Sequence, residues 1–163
     1  QKNLNLKVKY RESFRPFAPS VLIEDSSDWF DINIESPYML MVSNINKNKI
    51  IEMTKDQKKL FGIDKLNLKR SEIPAVTHVD YSARIQTVNR ETNEKYFNLI
   101  QRFKEKTNCP IVVNTSFNVR GEPPVNTPID AFKCFMATDL DILVLGNCVM
   151  EKQNQINFNL DIE

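Results

Sequence analysis

Residues 109–136 read CPIVVNTSFNVRGEPPVNTPIDAFKCFM and place a strand, a polar loop and a helix in direct succession. Residues 111–113 are apolar and β-branched, which predicts a continuous buried strand. Thr127 followed by Pro128 is typical of a helix start, because Thr caps the first free amides and Pro fits the first helical position. The helix that follows has an apolar stripe on one face. This succession predicts a domain of the α/β class.

The rest of the chain adds further strands and one more helix. Residues 4–10, LNLKVKY, alternate apolar and polar side chains, which predicts a half-buried strand. Further strands are predicted over residues 20–23, 37–43, 83–88 and 142–145, the second and the last of these being buried, and residues 148–150 continue the last strand past a bulge. Asn93 is a candidate N-cap for a second helix, which ends near Asn108.

Length and charge exclude several classes of protein. A chain of 163 residues fits one domain with its own hydrophobic core. Basic and acidic residues number 22 and 21, and this balance argues against extended nucleic-acid binding. No apolar run approaches 18 residues, so we expect no membrane-spanning helix. The charged start of the chain does not resemble a signal peptide, and we expect a cytoplasmic protein.

The numbers of glycines and cysteines argue against several kinds of binding site. The chain has only 3 glycines, too few for a glycine-rich phosphate loop or a dinucleotide-binding fingerprint. Its 3 cysteines form no C-x-x-C pair, which argues against a cysteine metal site or a disulfide framework and fits a reducing compartment. Cys134 and Cys148 fall in apolar segments, so we expect both to be buried.

Residues 44–72 differ from the rest in composition. Between Lys47 and Arg70 the chain carries eight basic and three acidic residues on a weak hydrophobic pattern. The pattern favours a solvated surface insertion of variable sequence. The alternative is a basic contact surface for another domain or for an anionic ligand.

Three polar segments next to predicted strands are candidates for a ligand site. α/β sheets bind ligands at the ends of their strands, and Lys and Arg from separate segments can clamp an anion. The candidate residues are Lys9, Arg11 and Arg15 in the first segment, Thr77 and Arg84 in the second, and Asn114, Ser116, Asn118 and Arg120 in the third.

Each candidate also has a structural interpretation. Lys9 and Arg11 would share the solvated face of a strand, and Arg84 could pair with Asp80. His78 could act as a base oriented by Asp80, or it could be a hydrogen-bonded structural residue.

Three motifs together resemble a known family. They are KYRESFRPFAPSVL, IPAVTHVDYSARIQTV and CPIVVNTSFNVRGEPPVNTPIDA, in this order. They resemble the C-terminal region of the nodulation-protein-type O-carbamoyltransferases over about residues 4–150. The resemblance implies a YrdC-like fold, a twisted mixed β-sheet with flanking helices. It also implies that residues 1–163 are one YrdC-like domain cut from a longer enzyme.

The resemblance further implies a reaction. The domain would bind ATP, with Mg²⁺ on the nucleotide, and carbamoyl phosphate, and would form carbamoyladenylate. The carbamoyl group would then pass to a hydroxyl acceptor in a separate N-terminal domain of the same polypeptide. That domain would be metal-dependent and would hold iron or another divalent metal. A homodimer is left open.

The resemblance assigns roles to individual residues. Lys9 and Arg15 match the family's phosphate-binding cations, and Arg84 matches the Arg of its SAR segment. Asn114 and Ser116 match a polar pair, while Thr77, Arg11, Asn118 and Arg120 are neighbours with less defined roles. We expect Lys9, Arg15, Arg84, Asn114 and Ser116 to converge on one concave surface. Tyr81 stands where the family often has Gly, which would permit an unusual backbone angle at this position.

Two other classes of function fit the sequence. A YrdC-like module could hold a nucleotide or RNA without turnover. A purely structural module could use the Lys-rich segment to dock a partner domain.

Overall fold

The structure is a computed structural model of the chain, and it describes residues 1–155. The chain divides into two compact units, which are described separately. The first unit comprises residue 1 and residues 16–115, and the second comprises residues 2–15 together with the chain from residue 116 onward.

The first unit contains a four-stranded mixed sheet. Its strands are β1 (Ala18–Leu22), β2 (Met41–Asn44), β3 (Ser82–Val88) and β4 (Ile111–Asn114), in the spatial order β2-β3-β1-β4. β1 runs parallel to β3, whereas the β1–β4 and β2–β3 pairs are antiparallel. The α/β class and the mixed sheet with flanking helices predicted from the sequence are confirmed.

The helix α5 (Glu94–Thr107) packs against this sheet. Asn93 caps it by accepting a hydrogen bond from the Tyr96 amide, and Asn108 ends it in the left-handed conformation that Asn tolerates better than most residues. Both ends agree with the prediction. The core beneath the helix is formed by Leu22, Val88, Phe97 and Ile100.

Short helices occupy the connections of the first unit. They are α2 (Ser26–Trp29), α3 (Lys55–Lys59) and α4 (Gly62–Leu66), with single 3-10 turns at Ile23–Asp25 and Lys47–Lys49. Ser27 lies inside α2, whose N-cap residue is Asp25. In the Lys-rich segment most lysines are exposed, but Arg70 is buried and donates to the main-chain oxygens of Lys65, Leu66 and Leu68.

The second unit pairs helices with a hairpin. It contains α1 (Lys2–Lys7), α6 (Pro128–Met136), β5 (Ile142–Leu145), β6 (Cys148–Glu151) and a 3-10 turn at Lys152–Asn154. Thr127 and Asp130 form the capping box that starts α6, as predicted from Thr127-Pro128. The hairpin packs on α6 through Leu143, and the Lys152 ammonium binds the carbonyls of Phe135 and Thr138 at the end of that helix.

The strand prediction for residues 4–10 is wrong, because residues 2–7 form α1. Asn5 is buried inside α1, and the buried Val8 and Lys9 follow directly after the helix ends at Lys7. The alternation of Leu4, Leu6 and Val8 suggested a strand, yet Leu6 is exposed.

Other strand predictions also need correction. Residues 37–43 do not form a buried strand, since β2 starts only at Met41 and is an exposed edge strand of the sheet. Residues 148–150 do not continue β5 past a bulge but return antiparallel to it as β6. Cys148 is therefore exposed, whereas Cys134 is buried as predicted. In β4, Ile111 is buried but Val113 is half-exposed. β5 is not a buried strand either, because Leu143 is buried whereas Ile142 and Val144 are exposed.

Within residues 1–155, no helix is both long enough and apolar enough to cross a membrane.

Candidate functional site

Lys9 lies at the centre of the polar cluster in the second unit. Its ammonium is 2.8 Å from the main-chain oxygen of Ser116 and 2.7 Å from that of Asn118. It is also 2.6 Å from Asn118 Oδ1 and 3.3 Å from Ser116 Oγ. Lys9 is only 5% exposed, so the interpretation of a solvated lysine on a strand face is wrong.

Asn5 organises the segment that follows Lys9. It is completely buried, and its Nδ2 donates to the main-chain oxygens of Ser13 and Arg15. Its Oδ1 accepts a hydrogen bond from Arg11 Nε at 2.6 Å. One buried amide thus fixes both the path of residues 11–15 and the direction of the Arg11 guanidinium.

Four cationic side chains gather in this unit. Arg15 and Arg120 approach the carboxylate of Glu12 at 3.7 and 3.9 Å. Burial lowers the pKa of Lys9, and the charge of Arg11 lowers it further; burial and then the charge of Arg15 likewise lower the pKa of Arg11. A hydrogen bond from its own main-chain amide, and next the charges of Arg120 and Arg15, lower the pKa of Glu12. The cluster is therefore an electropositive surface with one internal counter-charge.

The first unit carries a second polar cluster on its sheet. Gln86 Oε1 accepts hydrogen bonds from Ser20 Oγ at 2.6 Å and from Asn114 Nδ2 at 2.7 Å. Arg84 lies two residues before Gln86 on β3 and hence on the same face of the sheet. It is exposed, and its Nε donates to the Met39 carbonyl at 2.7 Å, while no partner is found among residues 1–155 for its terminal nitrogens.

Met39 joins this cluster from a strained position. Its φ of 58° lies in the left-handed region, which is uncommon for a residue with a side chain. Its carbonyl faces Arg84, and its sulfur lies 3.2 Å from Asn114 Nδ2. Strain of this kind persists where the surroundings hold it, and it is often found at functional positions.

Thr77 and His78 make local contacts. Thr77 is buried, and its hydroxyl donates to the Ile73 carbonyl and lies 2.6 Å from Ser71 Oγ. His78 Nδ1 is 2.9 Å from Ser82 Oγ, which in turn donates to Asp80 Oδ1. Asp80 accepts hydrogen bonds from the amide and the hydroxyl of Ser82, and the His78 amide donates to the Ser82 carbonyl, so the structure supports a turn-stabilising role for these residues.

Tyr81 adopts a φ of 65°, and glycine takes such an angle without steric cost. The unusual backbone angle expected at this position is therefore present, although the residue is Tyr.

The structure brings together the predicted site residues within each unit. Lys9, Ser116 and Asn118 are in direct contact in the second unit, and Arg84 and Asn114 both contact Met39 in the first. The convergence of all five principal residues on one surface stays a prediction, as does a ligand role for Thr77.

Sequence reasoning missed four residues that shape these clusters: Asn5, Glu12, Met39 and Gln86. Gln86 could have been found, because its spacing of two from Arg84 on a strand puts both on one face. Asn5 carries no local signal, since its partners are placed by the fold, whereas Glu12 lies only three residues before its partner Arg15.

The comparison with protein families matches this chain over residues 1–152 to the model described as carbamoyltransferase C-terminus. An uncharacterized protein of Synechocystis sp. is 56% identical over 155 residues, which are 95% of this chain and 25% of that protein. Nodulation protein NolO of Bradyrhizobium diazoefficiens is 39% identical, over 92% of this chain and 24% of its own length.

A relative with a stated reaction is more distant. The 3'-hydroxymethylcephem-O-carbamoyltransferase of Amycolatopsis lactamdurans is 29% identical over 86% of this chain and 23% of its own length. The chain thus spans about a quarter of the length of these relatives.

Proposed function

The chain belongs to the carbamoyltransferase C-terminus family, and from this we propose that it binds ATP and carbamoyl phosphate and forms carbamoyladenylate for an O-carbamoyl transfer. The observation that carries the proposal is the cluster of Lys9, Arg11 and Arg15, in which burial and then the charge of Arg11 lower the pKa of Lys9, and burial and then the charge of Arg15 lower the pKa of Arg11. Adjacent like charges are unfavourable unless an anion neutralises them, and phosphate groups are suitable anions.

The proposed reaction has two steps before transfer. Water releases phosphate from carbamoyl phosphate and leaves carbamate. A carbamate oxygen then attacks the α-phosphorus of ATP, the bond to the β-phosphate oxygen breaks, and carbamoyladenylate and pyrophosphate form. Both reactants are anions, so the protein's main contributions would be charge neutralisation and positioning. Neither step needs a nucleophile from the chain.

The residues divide between these two contributions. Arg15 and Arg84 are exposed guanidinium groups suited to paired hydrogen bonds with phosphate oxygens. Asn114 and Ser116 supply neutral groups that orient the phosphates. Mg²⁺ would enter with ATP: residues 1–155 contain no cluster of three or more His, Cys, Asp or Glu side chains able to hold a metal, and Mg²⁺ is commonly bound through substrate phosphates.

The acceptor hydroxyl would bind elsewhere in the polypeptide. The relatives are about four times as long as this chain, which leaves room for a metal-dependent acceptor domain holding iron or another divalent ion. We expect the reaction to take place in the cytoplasm, where ATP is present and thiols such as that of Cys134 stay reduced.

The test is an exchange assay that needs no acceptor. If carbamoyladenylate forms reversibly, labelled pyrophosphate enters ATP only when carbamoyl phosphate is present. Calorimetric titration with Mg–ATP and with a ten-nucleotide RNA runs in parallel. ATP binding without exchange would favour a non-catalytic nucleotide-binding module, tighter binding of RNA would favour an RNA module, and binding of neither would favour a structural role.

A further inference from the structure

The Lys9 ammonium is surrounded by oxygen atoms of one short loop. Its three shortest contacts, at 2.6, 2.7 and 2.8 Å, go to Asn118 Oδ1 and to the main-chain oxygens of Asn118 and Ser116. An ammonium carries three hydrogens, and these three bonds use all of them. In this arrangement Lys9 has no hydrogen left for a phosphate.

The loop is shaped around that charge. Two carbonyl dipoles and an amide oxygen point at one place, and they would repel one another without a cation between them. Two more hydrogen bonds fix the Asn118 side chain: its Oδ1 accepts one from Ser116 Oγ, and its Nδ2 donates one to the Glu122 carbonyl. Phe117, between the two ligating residues, packs against the α6–hairpin core. The loop is thus fixed by its Phe on one side and by Lys9 on the other.

We propose that Lys9 is a positioning residue, whose ammonium holds residues 116–118 in their ligand-ready conformation, rather than a direct phosphate ligand. The proposal rests on the proposed function only in assigning nucleotide binding to this loop. In this view residues 116–118 form a cation-binding site, and the Lys9 ammonium occupies it as a monovalent ion would. A small ammonium ion should therefore replace a deleted side chain.

The experiment measures loop order and ligand binding separately. Hydrogen exchange of the amides of residues 116–122 is followed in wild type, Lys9→Met, Lys9→Ala and the control Lys7→Met. Lys7 lies two residues before Lys9, at the end of α1, but is exposed, with its ammonium 3.5 Å from Asp139 Oδ2. We expect exchange in the loop to rise about tenfold or more in both Lys9 variants, as expected for losing hydrogen bonds to a charged group, with no change in β3 or in Lys7→Met.

Chemical rescue of Lys9→Ala distinguishes a positioning role of Lys9 from direct contact between Lys9 and the ligand. Propylammonium supplies the atoms that Lys9→Ala lacks, and we expect it to restore both slow loop exchange and Mg–ATP affinity. Unchanged loop exchange in Lys9→Met overturns the proposal, and so does a loss of ATP affinity with an undisturbed loop. If wild type binds no ATP, the proposed function fails while the exchange data still decide the role of Lys9.

A milder variant covers the case in which the Lys9 variants do not fold. Asn118→Ala removes one of the three short contacts and leaves both main-chain oxygens in place. We expect loop exchange to rise about threefold, less than in Lys9→Met, in proportion to the single bond lost. Loop exchange equal to wild type in Asn118→Ala overturns the proposal in that case.

Discussion

Asn114 Nδ2 donates to Gln86 Oε1 at 2.7 Å and thereby links β4 to β3 across the intervening strand β1. The same Gln86 oxygen accepts from Ser20 on β1, so one side chain joins three neighbouring strands. This link fixes the position of Asn114, a residue that both the motif and the proposed function assign to the ligand site.

Gln86→Ala should destabilise the protein. The variant leaves the fully buried Ser20 hydroxyl without this acceptor, and a buried polar group that loses its partner costs about 1–3 kcal/mol. Urea denaturation measures the loss, with the exposed Gln153→Ala as the control. A midpoint equal to wild type would show that the link contributes nothing to stability.

Arg84→Ala should weaken Mg–ATP binding roughly tenfold to 150-fold, which corresponds to about 1.5–3 kcal/mol for a charge-assisted hydrogen bond. Its side chain is exposed, so the free energy of unfolding should change by no more than about 0.5 kcal/mol. Titration calorimetry provides the measurement. Arg102→Ala, which removes an exposed arginine paired with Glu105, serves as the control. Equal ATP affinity in Arg84→Ala and wild type would remove Arg84 from the site.

Glu12→Gln should tighten the binding of ATP. The Glu12 carboxylate partly neutralises Arg15 and Arg120 and repels an incoming phosphate, so its removal frees positive charge. We expect an affinity gain of about two- to fivefold, the size typical of an exposed ion pair. The gain should shrink in high salt, whereas Glu52→Gln should have no effect. Weaker binding in Glu12→Gln would mean that the carboxylate instead orients the arginines.

Tyr81→Gly should stabilise the native state. The left-handed conformation costs a residue with a Cβ about 1–2 kcal/mol, and glycine avoids this cost at the price of a more flexible unfolded chain. A net gain of about 0.5–1 kcal/mol is expected from thermal and urea unfolding. Tyr38→Gly, at an exposed position without a positive φ, should give no gain. A destabilised Tyr81→Gly would show that side-chain packing outweighs the strain.

The pKa of Lys9 should lie below its ordinary value of 10.5, because burial and the charge of Arg11 both disfavour the charged ammonium. Between the lowered value and 10.5 the unfolded chain binds more protons than the native one, so the contribution of Lys9 to the unfolding free energy rises with pH. NMR titration of the Lys9 side chain measures the midpoint. Arg11→Gln should move it upward and Arg102→Gln should not; a midpoint at or above 10.5 would contradict the expectation.

Helix ends were the most predictable features. Thr127-Pro128 and Asn93 each start a helix through hydrogen bonds made within three residues of the cap, and Asn108 ends one through its own backbone preference. Such signals need no distant partner. By contrast, residues 4–10 show a two-residue alternation of apolar side chains, although residues 2–7 form a helix. Local periodicity cannot choose between a strand and a helix for so short a run.

The candidate site was predictable by residue type but not by role. The cationic and amide residues were recognisable in the three motifs, yet Lys9 proved to be buried inside a loop that lies more than a hundred residues later in the chain. Two of its four partners are main-chain oxygens, which every residue carries and which therefore leave no mark in the sequence.

The amino-acid sequence by itself determined the α/β class, the starts of α5 and α6, the family and the set of charged and amide side chains, because each depends on local preference or on residue identity. Only the tertiary structure decided that Asn5 is the buried support of Arg11 and that Gln86 joins three strands. It also decided that β2 is an exposed edge and that the Lys9 ammonium is held by loop oxygens. These relationships depend on strand order and loop path, which are set by the packing of the whole chain and by the need of every buried polar group for a partner.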